Sequence, residues 1–528
     1  MLSVLQYRKI GKDVARHVSA GVDGRVIART SIDAKNSDSP PGVNDEEKAR
    51  QPNQREAEKD NDDKICVRLD DEENDPLNPK NWSLASRSKN IAVLSLLIFV
   101  QAWAGGAESM ANAKASAEFG VSKTAENLST AMYLFGIGSG ALVAGPVSET
   151  VGRNPTYLVS TFCFLFFVLG SAMAPNFAAQ VVCRYFVGLA SSATLSINGG
   201  SVRDQFRPVK RSWVFPIIAW ANVTAPVLAP IAGGWIAAHP RLHWQWMDWI
   251  TLIIGGAAWL LAIFCLPETY LPLLLDWKAK HIRRITGDNR YVSEHGSAGS
   301  LTSRLKDKLP LTTKFFVTEP VVGVLGGYLV LLYVLLFSFL SGFDYIFKET
   351  YELPIGFVGS CFGAIAAGTT FITLFAPVFF SWTRHKTEHI QGASVQPEFR
   401  LWPGIVAAPL LPVALFWLGW TNYRSISIWS GLAACFVFGV VLVSIYISSY
   451  EYIIDSYGDH AATALSSITF VRYIVAGGMV MAARPMYEGI GVHWTMTWLG
   501  CCAAILAPAP LLFKIYGKRL REKSKYAK

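Results

Sequence analysis

The stretch VVCRYFVGLASSATLSINGGSVRD, residues 181–204, decides how this chain is read. It is long enough to cross a bilayer as a helix, and Arg184 lies about one turn inside its apolar run. A guanidinium in hydrocarbon is costly unless it faces a partner or water. Such an Arg marks a site, unless it sits near a helix end and snorkels to the membrane surface. Gly188, Ala190, Ser191, Ser192 and Ala193 allow another helix to approach closely.

The rest of the chain has the same character. Of 528 residues, 51% are hydrophobic and only 16% charged, where a soluble chain carries about 25%. The charges bunch between apolar runs of about 20 residues, each able to cross about 30 Å of hydrocarbon. The runs fall near 91–111, 126–147, 155–174, 180–200, 212–236 and 244–266. A second set falls near 320–342, 355–380, 401–420, 426–449, 461–483 and 492–514. The pattern predicts an all-α membrane protein with twelve transmembrane helices in two six-helix halves. The halves span 76–266 and 319–514, and two equal halves are the internal repeat of secondary transporters.

Three other segments are polar. Residues 1–75 are rich in charge and predict a disordered tail. Residues 267–318 form a central loop, and residues 515–528 a basic tail. The stretch Leu275 to Arg284 is basic and amphipathic, which predicts a helix lying on the lipid surface. Lys and Arg concentrate on one set of connections, including Arg153, Arg203, Arg207, Lys210, Arg211, Arg384, Lys386 and Arg400. The positive-inside rule then places both termini in the cytosol. The same asymmetry accounts for the net charge of +9 without a nucleic-acid partner. The eight cysteines are scattered, with no disulfide framework and no metal spacing. There is no phosphate-cradling Gly-rich loop, and Pro240 breaks the helix that would align His239 with His243. Nothing points to an enzyme or to a bound cofactor.

Several motifs, in order and at the right helix ends, resemble the major facilitator superfamily, and most closely its fungal twelve-span drug:proton antiporters. They are DPLNPKNWS (75–83), GPVSETVGR (145–153), Arg184 with Gly188, LPETY (266–270), PEFRL (397–401) and YGKR (516–519). The resemblance implies a monomeric secondary transporter driven by a proton gradient. Its cargo would be a drug, toxin or fungal secondary metabolite moved outward through the plasma membrane, or alternatively the vacuolar membrane. A polyamine or cation exporter, an uptake symporter and a non-transporting nutrient sensor are the alternatives.

The resemblance also assigns residues. Gly145, Glu149, Gly152 and Arg153 would form a conformational latch between the halves, with Glu149 and Arg153 on one helical face. Pro226, Pro230, Gly233 and Gly234 would form an antiporter-type helix, although Ala225 and Ala229 stand where the family has glycines. Glu108 lies about 25 Å along the first span and Arg184 near the outer end of the fourth, so their depths match. They are expected to pair and to couple a proton, unless Glu108 lies just outside the membrane beside Lys114. Arg472 is about 16 Å into its span, with Asp344, Glu451 and Asp455 as candidate partners. Gln101, Asn198, Asn222 and Tyr333 either contact substrate in the cavity or hydrogen-bond helix to helix.

Overall fold

The computed structural model describes residues 2–19, 65–69, 73–294, 301–378, 381–382, 385, 397–524 and 526. The membrane helices of the first half are α1 (Leu84–Trp103), α2 (Lys123–Val151), α3 (Arg153–Ala172), α4 (Phe177–Gln205), α5 (Pro208–Ala238) and α6 (Trp246–Cys265). Those of the second half begin with α7 (Pro320–Phe343) and α8 (Ile355–Leu374). Next come α9, built from Trp402–Ala407 and Leu410–Trp420, and α10 (Ile428–Tyr457). The element Ala461–Leu506 is broken at the non-helical Gly491 (φ 75°, ψ 171°) into α11 (461–490) and α12 (492–506). The chain reverses there: the His460 ring, before α11, lies 5.4 Å from the Tyr526 ring, beyond α12.

Side-chain caps set several helix starts. Ser83, Ser122 and Asn176 accept from the backbone N–H three residues on, opening α1, α2 and α4. Nine described helices are long and apolar enough to cross a bilayer, one of them covering the α11–α12 hairpin. α1 and α4 fall short of that measure because buried polar residues interrupt them: Arg87, Asn90 and Gln101 in one, Gln180, Arg184 and Asn198 in the other. With these two, and the hairpin counted as a pair, the described bundle has twelve.

The two halves repeat one packing scheme. A Cβ at Gly188 of α4 would overlap the Tyr133 carbonyl of α2, and one at Gly136 the Tyr185 carbonyl. Six helices on, Gly368 of α8 and Gly439 of α10 meet the Phe436 and Ile365 carbonyls in the same way. The halves then touch along α2–α11 and α5–α8, where a Cβ at Gly359 would come within 2.6 Å of the Pro230 carbonyl. Gly188→Val is expected to force α2 and α4 apart and to cost about 3 kcal/mol. The measurement is thermal unfolding of the detergent-purified protein. Gly256→Ala, at a position open to the surroundings, serves as the neutral control.

The segment expected to be a disordered tail is corrected in part. Residues Leu2–Ser19 form a helix, and β1 (Ile65–Val67) pairs in parallel with β2 (Tyr291–Ser293). Ile10, Val14, Ile65 and Val67 bury against Leu274, Ala279, Ile282 and Tyr291, a second small core outside the bundle. The helix Leu271–Thr286 therefore turns its apolar face to protein, not to lipid. The reason is that the amino-terminal helix supplies a complementary stripe and removes that surface from solvent. Residues 20–64 and 70–72 of the expected tail lie outside the described residues, as do Arg384 and Lys386. The basic end of the chain continues α12 as the helix Ala509–Lys523, where Arg521 pairs with Glu398 and Ser524 donates to Glu319.

Candidate functional site

Arg184 is 2% exposed and sits two turns into α4, inside the first half. One of its terminal nitrogens is paired with both Glu108 and Asp248, the latter at 2.9 Å. The other donates to the Ala104 carbonyl at 3.2 Å. Glu108 stands in the turn after α1 and Asp248 in the first turn of α6. Ser129 of α2 donates to the other Glu108 oxygen. Gln180, one turn before Arg184, donates to Glu126 of α2 at 3.1 Å and to Glu108 at 3.4 Å. All five polar side chains are buried. The cluster thus sets two carboxyl groups on one guanidinium and joins a third through Gln180, at the end of the bundle away from the chain termini.

A second buried cation lies at mid-depth, where the halves meet. Arg472 of α11 is 0% exposed, and its three guanidinium nitrogens have no hydrogen-bond partner among the described residues. Aromatic faces surround it instead. Its Cζ lies 4.1 Å from the ring centre of Tyr333, 5.0 Å from Tyr473, 5.6 Å from Tyr446 and 5.7 Å from Tyr450. Ring faces attract a cation through their quadrupole. From the first half, Asn222 of α5 donates to the Tyr446 hydroxyl at 2.9 Å.

None of the carboxylates considered for Arg472 reaches it. Glu451 and Asp455 of α10 are bound elsewhere, in the ionic cluster that ties the halves together at the face bearing the termini. Asp455 pairs with Arg211 of α5 and, at 2.9 Å, with Arg400. Glu451 takes Arg400 at 2.8 Å. Arg400 also donates to Ser212, and Arg203 donates to the Gly458 carbonyl at 2.5 Å.

The GPVSETVGR segment is built differently from its expected form. Gly152 (φ 108°) breaks the helix between Glu149 and Arg153, so the two lie on α2 and α3 and do not share a helical face. Arg153 pairs with Asp204 of α4 at 3.1 Å and donates to Ser148, all within the first half. Glu268 of the LPETY segment accepts the backbone N–H groups of Arg153 (3.0 Å), Asn154 (3.1 Å), Thr269 (2.9 Å) and Tyr270 (2.9 Å). Burial raises its carboxyl above the usual range, and those four donors oppose the rise. A Cβ at residue 152 would stand 2.6 Å from a Glu268 oxygen, so glycine is needed there for space as well as for backbone angle. Gly145 faces the other half, toward Ser466.

Of the remaining expected contacts, Gln101 donates to Thr161 of α3 at 3.0 Å and Asn198 to its own helix at Leu195, 2.9 Å. Both are structural bonds inside the first half. Asn222 and Tyr333 do converge, at Arg472. In α5, Pro230 has no N–H for the Pro226 carbonyl, and Gly106 packs directly on that carbonyl, where any Cβ would overlap it. Gly233 packs on Met110, and Gly234 on Gly359 of α8.

Twelve helices in two repeating halves, with ionisable groups buried inside and between them, define a multi-pass membrane protein. Residues 85–481 match the model of the Major Facilitator Superfamily. The chain is 40% identical over 457 residues to the MFS-type transporter kojT of Aspergillus flavus, covering 85% of this chain and 81% of that one. It is 31% identical over 472 residues to the citrinin biosynthesis cluster MFS transporter mrr1 of Monascus ruber, covering 86% and 91%. Among solved structures, the proton:xylose symporter XylE superposes with a TM-score of 0.59 over 82% of this chain and 96% of that one, at 13% identity, a likeness of fold. The chain belongs to the major facilitator superfamily, whose members are membrane transporters.

Proposed function

We propose that the protein exports small, partly apolar organic compounds of the drug, toxin or secondary-metabolite kind, in exchange for protons. The observation that carries this reading is the buried Arg184 held between Glu108 and Asp248. Two carboxylates share one cation, and a third carboxyl is joined to them through Gln180, so the cluster can take up a proton and keep its Arg184 paired. Protonating Glu108 leaves Arg184 on Asp248 and the Ala104 carbonyl, which shifts the guanidinium and the helices that hold it. The name of the Monascus relative, tied to a biosynthetic cluster, supports a metabolite cargo. The distribution of Lys and Arg supports cytosolic termini, with the plasma membrane as the site of action. The segment around Arg153 and Glu268 would act as a hinge of the latch, and the Arg211–Asp455 cluster as its cross-half closure.

Purified protein in vesicles under an imposed pH gradient tests this directly. Wild-type protein is expected to accumulate a candidate compound against its gradient only when the pH difference is present. Glu108→Gln keeps the Ser129 contact and fixes the side chain as neutral. It is expected to retain downhill exchange and to lose the pH dependence of transport. Unchanged pH dependence in that variant sinks the coupling role of Glu108.

A further inference from the structure

We propose that Arg472, with Tyr333, Tyr446, Tyr450 and Tyr473, is the subsite for a planar organic anion, an aromatic carboxylate. A guanidinium sealed inside a protein normally has an anionic partner, because leaving it unpaired forfeits its hydration without return. Here all three nitrogens lack a hydrogen bond among the described residues, and the side chain is 0% exposed. Nearby acids are already committed: Glu451 and Asp455 hold Arg400, and Asp455 also holds Arg211.

The place is suited to cargo. Arg472 is at mid-depth, and its surroundings come from α7, α10 and α11, with α5 of the other half reaching in through the Asn222–Tyr446 bond. A group bound there touches both halves and is felt by whatever moves them. Two features fix the chemical class. The guanidinium fork matches the two oxygens of a carboxylate. The ring of Tyr333 at 4.1 Å and that of Tyr473 at 5.0 Å present flat faces on which an unsaturated ring stacks. The aromatic faces hold the cation while the halves are closed, and the anion takes over when they part. The same charge makes the cage hostile to a polyamine.

This subsite gives the exporter reading its substrate class, and it is tested without any gradient. The full-length protein in detergent is titrated with salicylate and 4-hydroxybenzoate, and separately with salicylamide and 4-hydroxybenzamide. Unfolding temperature reports binding. The carboxylates are expected to stabilise the wild-type protein at concentrations at least about tenfold lower than their amides. Arg472→Gln is expected to lose that advantage while responding to the amides as before, and Arg472→Lys to keep part of it. Three outcomes overturn the subsite: no carboxylate effect, equal effects of acids and amides on the wild-type protein, or an advantage that persists in Arg472→Gln. The wild-type comparison stands even where a variant folds poorly. Carboxylate binding without pH-driven export sinks the exporter reading and keeps the subsite. Export of neutral compounds without carboxylate binding does the reverse.

Discussion

Arg184→Gln is expected to abolish pH-driven transport and to lower stability by about 3–5 kcal/mol, the cost of stripping one partner from a buried ion pair. The substitution leaves Glu108 and Asp248 facing each other inside the first half, with Glu126 joined to them through Gln180. Charge repulsion in that setting is relieved only by taking up protons or by parting α1, α4 and α6. Both remove the response to a pH gradient. Vesicle flux and thermal unfolding check the two halves of this expectation. A combined Arg184→Gln, Glu108→Gln, Asp248→Asn variant removes every formal charge of that contact and is expected to recover most of the stability and none of the transport. Recovery of stability separates a coupling role from a purely structural one.

The second large effect is expected from Asp455→Asn. Asp455 is the carboxylate shared by Arg211 of the first half and Arg400 of the second, and all three side chains are largely buried. The neutral amide leaves two guanidinium groups to Glu451, which already holds Arg400 at 2.8 Å. The closed arrangement at this face is then weakened relative to the open one. A cysteine introduced at Ser444, buried on α10 about two turns from Glu451 and three from Asp455, reports the change. Its labelling by a water-soluble maleimide is expected to quicken at least about tenfold, an equilibrium shift of about 1.4 kcal/mol. Unchanged labelling means that packing along α2–α11 and α5–α8 holds the halves without help from the ion pairs.

Much of this architecture is legible in the chain because hydrocarbon demands long apolar runs and tolerates few charges. Helix number and the division into halves follow from that demand alone. Glu108 and Arg184 were within reach of a depth estimate, and the structure brings them together. Asp248, Glu126 and Gln180 were not read as part of the site, because each lies in the first turns of a span, where polar residues normally face the membrane surface. The available signal was an acid in the run WMDWI with no basic residue within four positions. Arg211 and Arg400 read as ordinary inside-loop cations, since their partner Asp455 is 244 residues from Arg211, and only the folded topology pairs them. Arg472 was legible as a buried cation, but three of its four tyrosines come from α7 and α10, whose facing sides an all-round apolar helix does not reveal. Gln101 and Asn198 show the converse: polar in a span, one bonds a neighbouring helix and the other its own backbone.

The amino-terminal helix has one consequence for how the molecule is made. It rests on Asn154 and Glu268 through Ser3 and Gln6, and it shares its core with β1 and with the helix Leu271–Thr286. Synthesis runs from the amino end, so this helix leaves the ribosome well before the helix Leu271–Thr286 and Glu268 that complete its berth, by which time six helices are in the bilayer. Docking of this helix is therefore a late step of biogenesis, and it marks the moment when the first half has been completed.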